Sequence, residues 1–300
     1  MRKTLRQLFS EEKIILAPEI YDCASAYVAD ECGYLATVLS GAEVSMSLKG
    51  IPDLGLLSYD ENLMVTRNIC AACSLPMVVD GENGYGPALS AAYHCKGFAQ
   101  AGAAGVIIVD SPEPRIGGVL PKAEAVEKYA ACADALHGTD CILIARTDAM
   151  DLDDAIDRCI AYREAGADMT LVFCFNFIPH EERFDACRKI AAADKGWKWY
   201  PDLGVHDGKS DVSVDEIAEY GFNFVGLHYC LGSAMTAMAD AGMGNMKNRD
   251  NVYAMTKYPR SGIGSRELIE QWYAYESRFV RDPALRERWP YNYYKTQRHD

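Results

Sequence analysis

Two carboxylates stand one residue apart at the end of an apolar run, in Val78-Val79-Asp80-Gly81-Glu82-Asn83-Gly84-Tyr85-Gly86. The run reads as a buried strand, so Asp80 and Glu82 leave its C-terminal end together, at the start of a glycine-rich turn. Like charges crowded in one place repel each other and disfavour ionisation. A hard divalent cation such as Mg²⁺, which takes oxygen ligands, relieves that repulsion. Capping of the next helix by the two acids is the plainer alternative.

Other chemistry-bearing residues close apolar runs in the same way. Arg146 ends Ile142-Leu143-Ile144-Ala145, where a guanidinium can take a carboxylate or phosphate through two parallel hydrogen bonds, or simply pair with a neighbouring acid. Asp148, just beyond, is expected to cap the helix that begins near Leu152. Ser40 and Gly41 end Leu35–Leu39: the glycine permits close backbone approach to a ligand and the serine adds a hydroxyl. Asp202 and His228 follow two later runs, and His228 is a candidate base or ligand. Asp53 lies in the turn-forming Ile51-Pro52-Asp53-Leu54-Gly55. His94 sits in a helical pattern and reads as structural, while His206 reads as an exposed loop residue.

The elements that would position these groups alternate regularly. Strands are expected at Ile14–Ala17, Leu35–Leu39, Met77–Asp80, Gly105–Val109, Ile142–Arg146, Met169–Phe173, Trp197–Tyr200 and Phe224–Leu227. Helical patterns separate them, near Asp22–Cys32, Tyr59–Ser74, Ala88–Ala101, Lys122–Leu136, Asp151–Ala165, His180–Ala193 and Ser213–Tyr220, and another follows at Ser233–Ala241. Gly33, Gly102, Gly166 and Gly221 recur where a helix hands over to a strand. Eight such units predict a closed (β/α)8 barrel, whose chemistry belongs at the strand C-terminal ends. No Gly-x-Gly-x-x-Gly follows the first strand, which argues against a dinucleotide-binding open sheet. The barrel is expected over residues 1–242, with 243–300 as a helical tail. In that tail Gly242-Met243-Gly244-Asn245 reads as turn-rich, Arg266 to Arg281 as helical, and Trp289, Tyr291, Tyr293 and Tyr294 as an apolar cluster in an oligomer contact.

Bulk composition narrows the class. Of 300 residues 49% are hydrophobic, and the formal net charge of −13 makes nucleic acid and anionic membranes poor partners. The eleven cysteines are scattered through apolar segments, as buried free thiols of a reducing cytoplasm would be, and the lone Cys70-x-x-Cys73 lacks the second pair of a zinc ribbon. No apolar signal core or long apolar span is seen. A cytoplasmic protein is expected.

From about Pro18 to Gly242 the chain resembles the isocitrate lyase / phosphoenolpyruvate mutase superfamily. Ser40-Gly41-Ala42-Glu43-Val44-Ser45 is similar to that family's segment after the second strand, and Ile51-Pro52-Asp53 to its Leu-Pro-Asp gating loop. Asp80-Gly81-Glu82-Asn83-Gly84-Tyr85-Gly86 resembles its Asp-Ala-Asp-Thr-Gly-Tyr-Gly metal motif, and Ala145-Arg146-Thr147-Asp148-Ala149 is identical to its Ala-Arg-Thr-Asp-Ala. The resemblance implies a lyase acting on a small α-oxo or α-hydroxy carboxylate through an enolate. Mg²⁺ or Mn²⁺ would be held at Asp80 and Glu82. The substrate would be bound by Ser40, Gly41, Ala42, Asp53, Arg146 and Asp202. It also implies a homo-oligomer, dimer or tetramer, that exchanges its C-terminal helix. The departures are specific. The lyase branch has a Lys-Lys-Cys-Gly-His or Lys-Arg-Cys-Gly-His loop; aligned on Pro114, this chain has Arg115-Ile116-Gly117-Gly118-Val119, without the thiol that donates a proton. Val109-Asp110-Ser111 stands for Glu-Asp-Gln, Asp202 for a late Asn and His228 for a late Pro. Catalytic roles therefore fall to Arg146, Arg115 and His228. A phosphonate-related mutase or hydrolase using Arg115 and Arg146, and a non-catalytic metabolite-binding barrel, are the rival readings.

Overall fold

A computed structural model describes residues 3–112, 118–259, 271–272, 274–276 and 278–279. Arg115 and the aromatic residues Trp289, Tyr291, Tyr293 and Tyr294 lie outside the described residues, as does most of Arg266 to Arg281.

The strand Ile142–Thr147 is buried at every residue, as a parallel strand needs when helices cover one face and a filled interior the other. Seven more strands join it: β1 (Ile15–Ile20), β2 (Thr37–Leu39), β3 (Met77–Asp80), β4 (Gly105–Val109), β6 (Met169–Val172), β7 (Trp197–Tyr200) and β8 (Phe222–Leu227), with Ile142–Thr147 as β5. Each pairs in parallel with its sequence neighbours, and β8 pairs with β1 through Ile15 and Phe224. The barrel is closed, as expected. β1 and β8 are each longer than the alternation of apolar residues indicated. β1 carries Glu19, so the mouth gains a carboxylate that was not expected there.

The helices between strands are α2 (Cys23–Glu31), the short α3 (Gly41–Val44), α4 (Tyr59–Ala72), α5 (Ala88–Ala101), α6 (Lys122–Leu136), α7 (Leu152–Glu164), α8 (Arg183–Ala193) and α9 (Val214–Glu219). The glycines at the helix ends have φ of 82° at Gly33, 101° at Gly102, 109° at Gly166 and 77° at Gly221, the left-handed caps their positions implied. An α1 helix, Leu5–Glu11, was not foreseen, because its charged N-terminal flank masks three apolar residues. Thr4 caps it, and Leu5, Leu8 and Phe9 pack with Ile15, Val78, Ile142 and Phe224 in the barrel interior. Each such burial contributes about 2 kcal/mol.

Met1–Ala237 and Met238–Asp300 form two compact units, whereas the sequence placed the division at 242. The expected turn at Gly242–Asn245 is instead helical, inside α10 (Cys230–Asn248). Gly244 is there because a Cβ would sit 2.1 Å from the ring of Tyr253, which α11 (Val252–Lys257) packs against it.

Candidate active site

At the strand C-terminal ends lies a cavity of about 290 Å³, and Ser40, Ala42, Asp53, Asp80, Arg146, Asp202 and His228 all line it. Side chains from β3, β5, β7 and β8 and from the segments after them thus converge as the sequence proposed. The details differ.

On the β3–β5 side, Asp80 Oδ1 accepts the backbone N–H of Glu82 at 2.9 Å and so holds the turn. Glu82 pays with a φ of 52°, a left-handed conformation that costs a non-glycine residue about 1 kcal/mol. Its carbonyl accepts from Val109 N–H at 2.8 Å, which fixes the turn to β4. Asn62, on α4, donates to the Asp80 carbonyl and to the Tyr85 hydroxyl, both at 2.8 Å. Neither acid caps a helix. Gly41 does not line the cavity; it lies over the acids, where a Cβ would be 2.8 Å from Glu82 Oε1 and 3.3 Å from Asp80 Oδ2. Only a glycine leaves room for both carboxylates. Ser40 is the N-cap of α3 and accepts from Glu43 N–H at 3.5 Å.

Burial, then the Asp80 charge beside it, pushes the Glu82 carboxyl up to about 8, against the pull of Arg146. Burial raises Asp80 as well. Glu82 Oε1 is buried with no hydrogen-bond partner among the described residues. Two adjacent acids with an unmet acceptor fit a cation. No cluster of three ligating side chains occurs among the described residues, so the remaining ligands would be solvent or substrate oxygens, as Mg²⁺ commonly keeps.

Arg146 is 9% exposed and lies over the Phe173 ring at 3.8 Å. Its Nε and Nη2 donate to the two Asp148 oxygens at 2.7 and 3.1 Å. Asp148 therefore orients the guanidinium, and Asp151, not Asp148, caps α7. The pairing leaves the Nη1–Nη2 edge for a second carboxylate. Asp110 supports this arrangement from beneath. Fully buried, it accepts from Thr147 Oγ1 and the Tyr162 hydroxyl at 2.7 Å and from Asp148 N–H at 3.0 Å.

The β7–β8–β1 side centres on His228. Its Nδ1 lies 3.0 Å from Glu19 Oε2 and its Nε2 3.3 Å from Glu43 Oε1. A carboxylate beside each ring nitrogen favours the protonated ring. The Glu19 hydrogen bond, against burial and with the charges of Glu43 and Asp202, raises it from 6.5 to about 9. A base role at neutral pH is therefore disfavoured. Asp202 is pushed up to about 6 by burial and by Glu19, against His228. A raised histidine stabilises the fold through its charged form: the contribution is full below pH 6.5 and is lost as pH rises through about 9. We expect the thermal stability advantage of wild type over His228→Gln to shrink between pH 7 and 9.5. A constant difference across that window would remove the imidazolium.

Glu19, Glu43 and Trp199 were missed. The signals were faint: an acid after Ala17-Pro18, a glutamate three residues after the Ser40 cap, and the alternation Trp197-Lys198-Trp199, which points Trp199 inward. His94, on α5, has its Nδ1 2.8 Å from the Gly84 carbonyl, which ties that helix to the turn after β3. His206 is exposed, within a two-residue ladder to Lys209–Ser210.

The phosphoenolpyruvate phosphomutase family model matches residues 5–246. The chain belongs to that family. Its relatives carry several activities. The petal death protein of Dianthus caryophyllus is 32% identical over 93% of this chain and 89% of its own length. The chloroplastic carboxyvinyl-carboxyphosphonate phosphorylmutase of Arabidopsis thaliana is 30% identical over 91% of this chain and 83% of its own. The 2-methylisocitrate lyase of Escherichia coli is 36% identical over 56% of this chain and 60% of its own. Among solved structures, the phosphoenolpyruvate phosphomutase of Streptomyces platensis subsp. rosaceus has a TM-score of 0.81 at 24% identity, covering 92% of this chain and 98% of that one. A 2,3-dimethylmalate lyase, described as a PEP mutase/isocitrate lyase superfamily member, has a TM-score of 0.77 at 22% identity, covering 91% and 97%. These two establish a shared fold. The family is one of lyases and mutases, and this chain is an enzyme of that kind.

Proposed function

We propose that the protein is a Mg²⁺- or Mn²⁺-dependent lyase that makes or breaks a C–C bond next to the carbonyl of a small α-oxo or α-hydroxy carboxylate, through an enolate-like intermediate. The observation that carries this is the sharing of one cavity by Asp80, with the unpartnered Glu82 oxygen close by, and the Arg146 edge left open by Asp148. Asp80 and Glu82 would hold the cation, which supplies positive charge to an enolate oxygen. Arg146 grips the substrate carboxylate and fixes the angle of the bond to be cleaved. Ser40 and Ala42 line the cavity at the start of α3, where backbone N–H groups would add donors. Glu82, kept from water, preserves the field that acts on the developing charge.

Arg115, beyond Pro114, is proposed to approach the substrate carboxylate from the 110–121 loop. A family-type thiol is absent from that loop. Cys174 and Cys230, near strand ends, are pushed up to about 11 and about 12, each chiefly by burial, and so do not replace it. None of the eleven cysteines is in a disulfide, which favours a reducing compartment. Among the described residues no helix is long and apolar enough to cross a membrane. We further propose a homo-oligomer built through the C-terminal tail, whose sequence gathers Trp289, Tyr291, Tyr293 and Tyr294.

The test is pyruvate release from a panel of 2-hydroxy and 2-oxo acids with branched or carboxylated chains. Release with Mg²⁺ that stops in EDTA and returns on adding Mg²⁺ or Mn²⁺ is expected. Cleavage unaffected by EDTA would overturn the metal's part, and phosphorus-containing products alone would favour the mutase reading.

A further inference from the structure

The β7–β8–β1 side of the cavity has binding groups that the chemistry at Asp80 and Arg146 leaves unused. Trp199 is 3% exposed and lines the cavity, and its indole N–H has no acceptor among the described residues. An unpaired buried donor is costly, and a bound acceptor recovers that cost. The groups around it accept rather than donate. A Cβ on Gly226 would meet the Pro201 carbonyl oxygen at 2.5 Å, Glu19 Oε1 at 3.1 Å and Trp199 Nε1 at 3.5 Å, so the indole, the carboxylate and that carbonyl gather beside Gly226 on β8. Asp202 lines the cavity beside them. The cation on this side, His228, is already taken by Glu19 and Glu43. Two carboxylates, Glu19 and Asp202, thus line this wall beside a histidine that is already engaged.

A second substrate carboxylate would meet repulsion here and find no free cation among the described residues that line the cavity. An aliphatic end would leave the indole N–H unpaired. A hydroxyl suits both: its oxygen accepts from Trp199 and its hydrogen goes to Asp202 or Glu19. We propose that the substrate is an oxo acid with one carboxylate, held by Arg146, and a hydroxyl on its distal chain, held by Trp199 and Asp202. This rests on the lyase reading for which end of the molecule Arg146 holds, and it names the substrate class of that site.

Three acids of equal chain length separate the possibilities: 5-hydroxy-2-oxopentanoate, 2-oxopentanoate and 2-oxoglutarate, which end in a hydroxyl, a methyl and a carboxylate. None has the hydroxyl next to the cleavable bond, so binding is read without turnover, by calorimetry on the full chain with Mg²⁺. The hydroxylated acid should bind about 10-fold or more tighter than either other acid. Trp199→Phe should remove most of its advantage over 2-oxopentanoate, weakening the hydroxylated acid far more than 2-oxopentanoate. Asp202→Asn should weaken the discrimination against 2-oxoglutarate. Tightest binding by 2-oxoglutarate, or an equal loss for all three acids in Trp199→Phe, would overturn the proposal. The predicted order of binding with no cleavage of any acid in the separate panel would sink the lyase reading and leave this one standing; no binding by any of the three would sink both.

Discussion

Arg146→Ala should lower kcat/KM by about 10³-fold or more, close to 4 kcal/mol of lost transition-state stabilisation. The guanidinium is positioned before substrate arrives: Asp148 grips one edge and the Phe173 ring lies beneath it, 3.8 Å from Cζ to the centroid. What remains is an edge matched to a carboxylate, and in a site sheltered from water that contact is worth far more than on a surface. The substitution removes the edge, and it also removes the positive charge that lowers Asp80 and Glu82. Arg146→Lys keeps the charge and loses the fork, so it should recover only part of the activity. Kinetics of both variants, with melting curves to confirm the fold, check this. A Lys variant as active as wild type would show that charge alone matters; an Ala variant within about 10-fold of wild type would take Arg146 out of substrate binding.

The barrel was legible because its signals are periodic. Eight apolar runs of strand length, separated by amphipathic stretches and punctuated by glycine caps, admit few other folds, and strand ends mark where chemistry belongs. Asp80, Arg146, Asp202 and His228 were found by that rule, and they do line one cavity. Partners were less legible than positions. That Asp148 belongs to Arg146 and not to a helix, that Gly41 serves the carboxylates, and that His228 is bracketed by Glu19 and Glu43 depend on contacts between residues far apart in the chain. Helix α1 was lost for a related reason: seven residues are too few for periodicity to outweigh a charged flank, and packing inside the barrel decides the matter.

Asp80→Asn is the second large effect. Asparagine keeps the volume and can still accept the Glu82 N–H that holds the turn, so the fold should be unchanged. It removes one of the two charges facing a cation, so Mg²⁺ affinity should fall, with turnover down about 10³-fold or more. The most direct measurement needs no knowledge of the natural substrate. If the site stabilises an enolate, the protein with Mg²⁺ should exchange the methyl protons of pyruvate for deuterium in heavy water, followed by proton NMR. Wild type should exchange them well above the buffer rate, and Asp80→Asn or EDTA-treated protein should not. Exchange that persists undiminished in Asp80→Asn, or no exchange by wild type with Mg²⁺, would contradict the account.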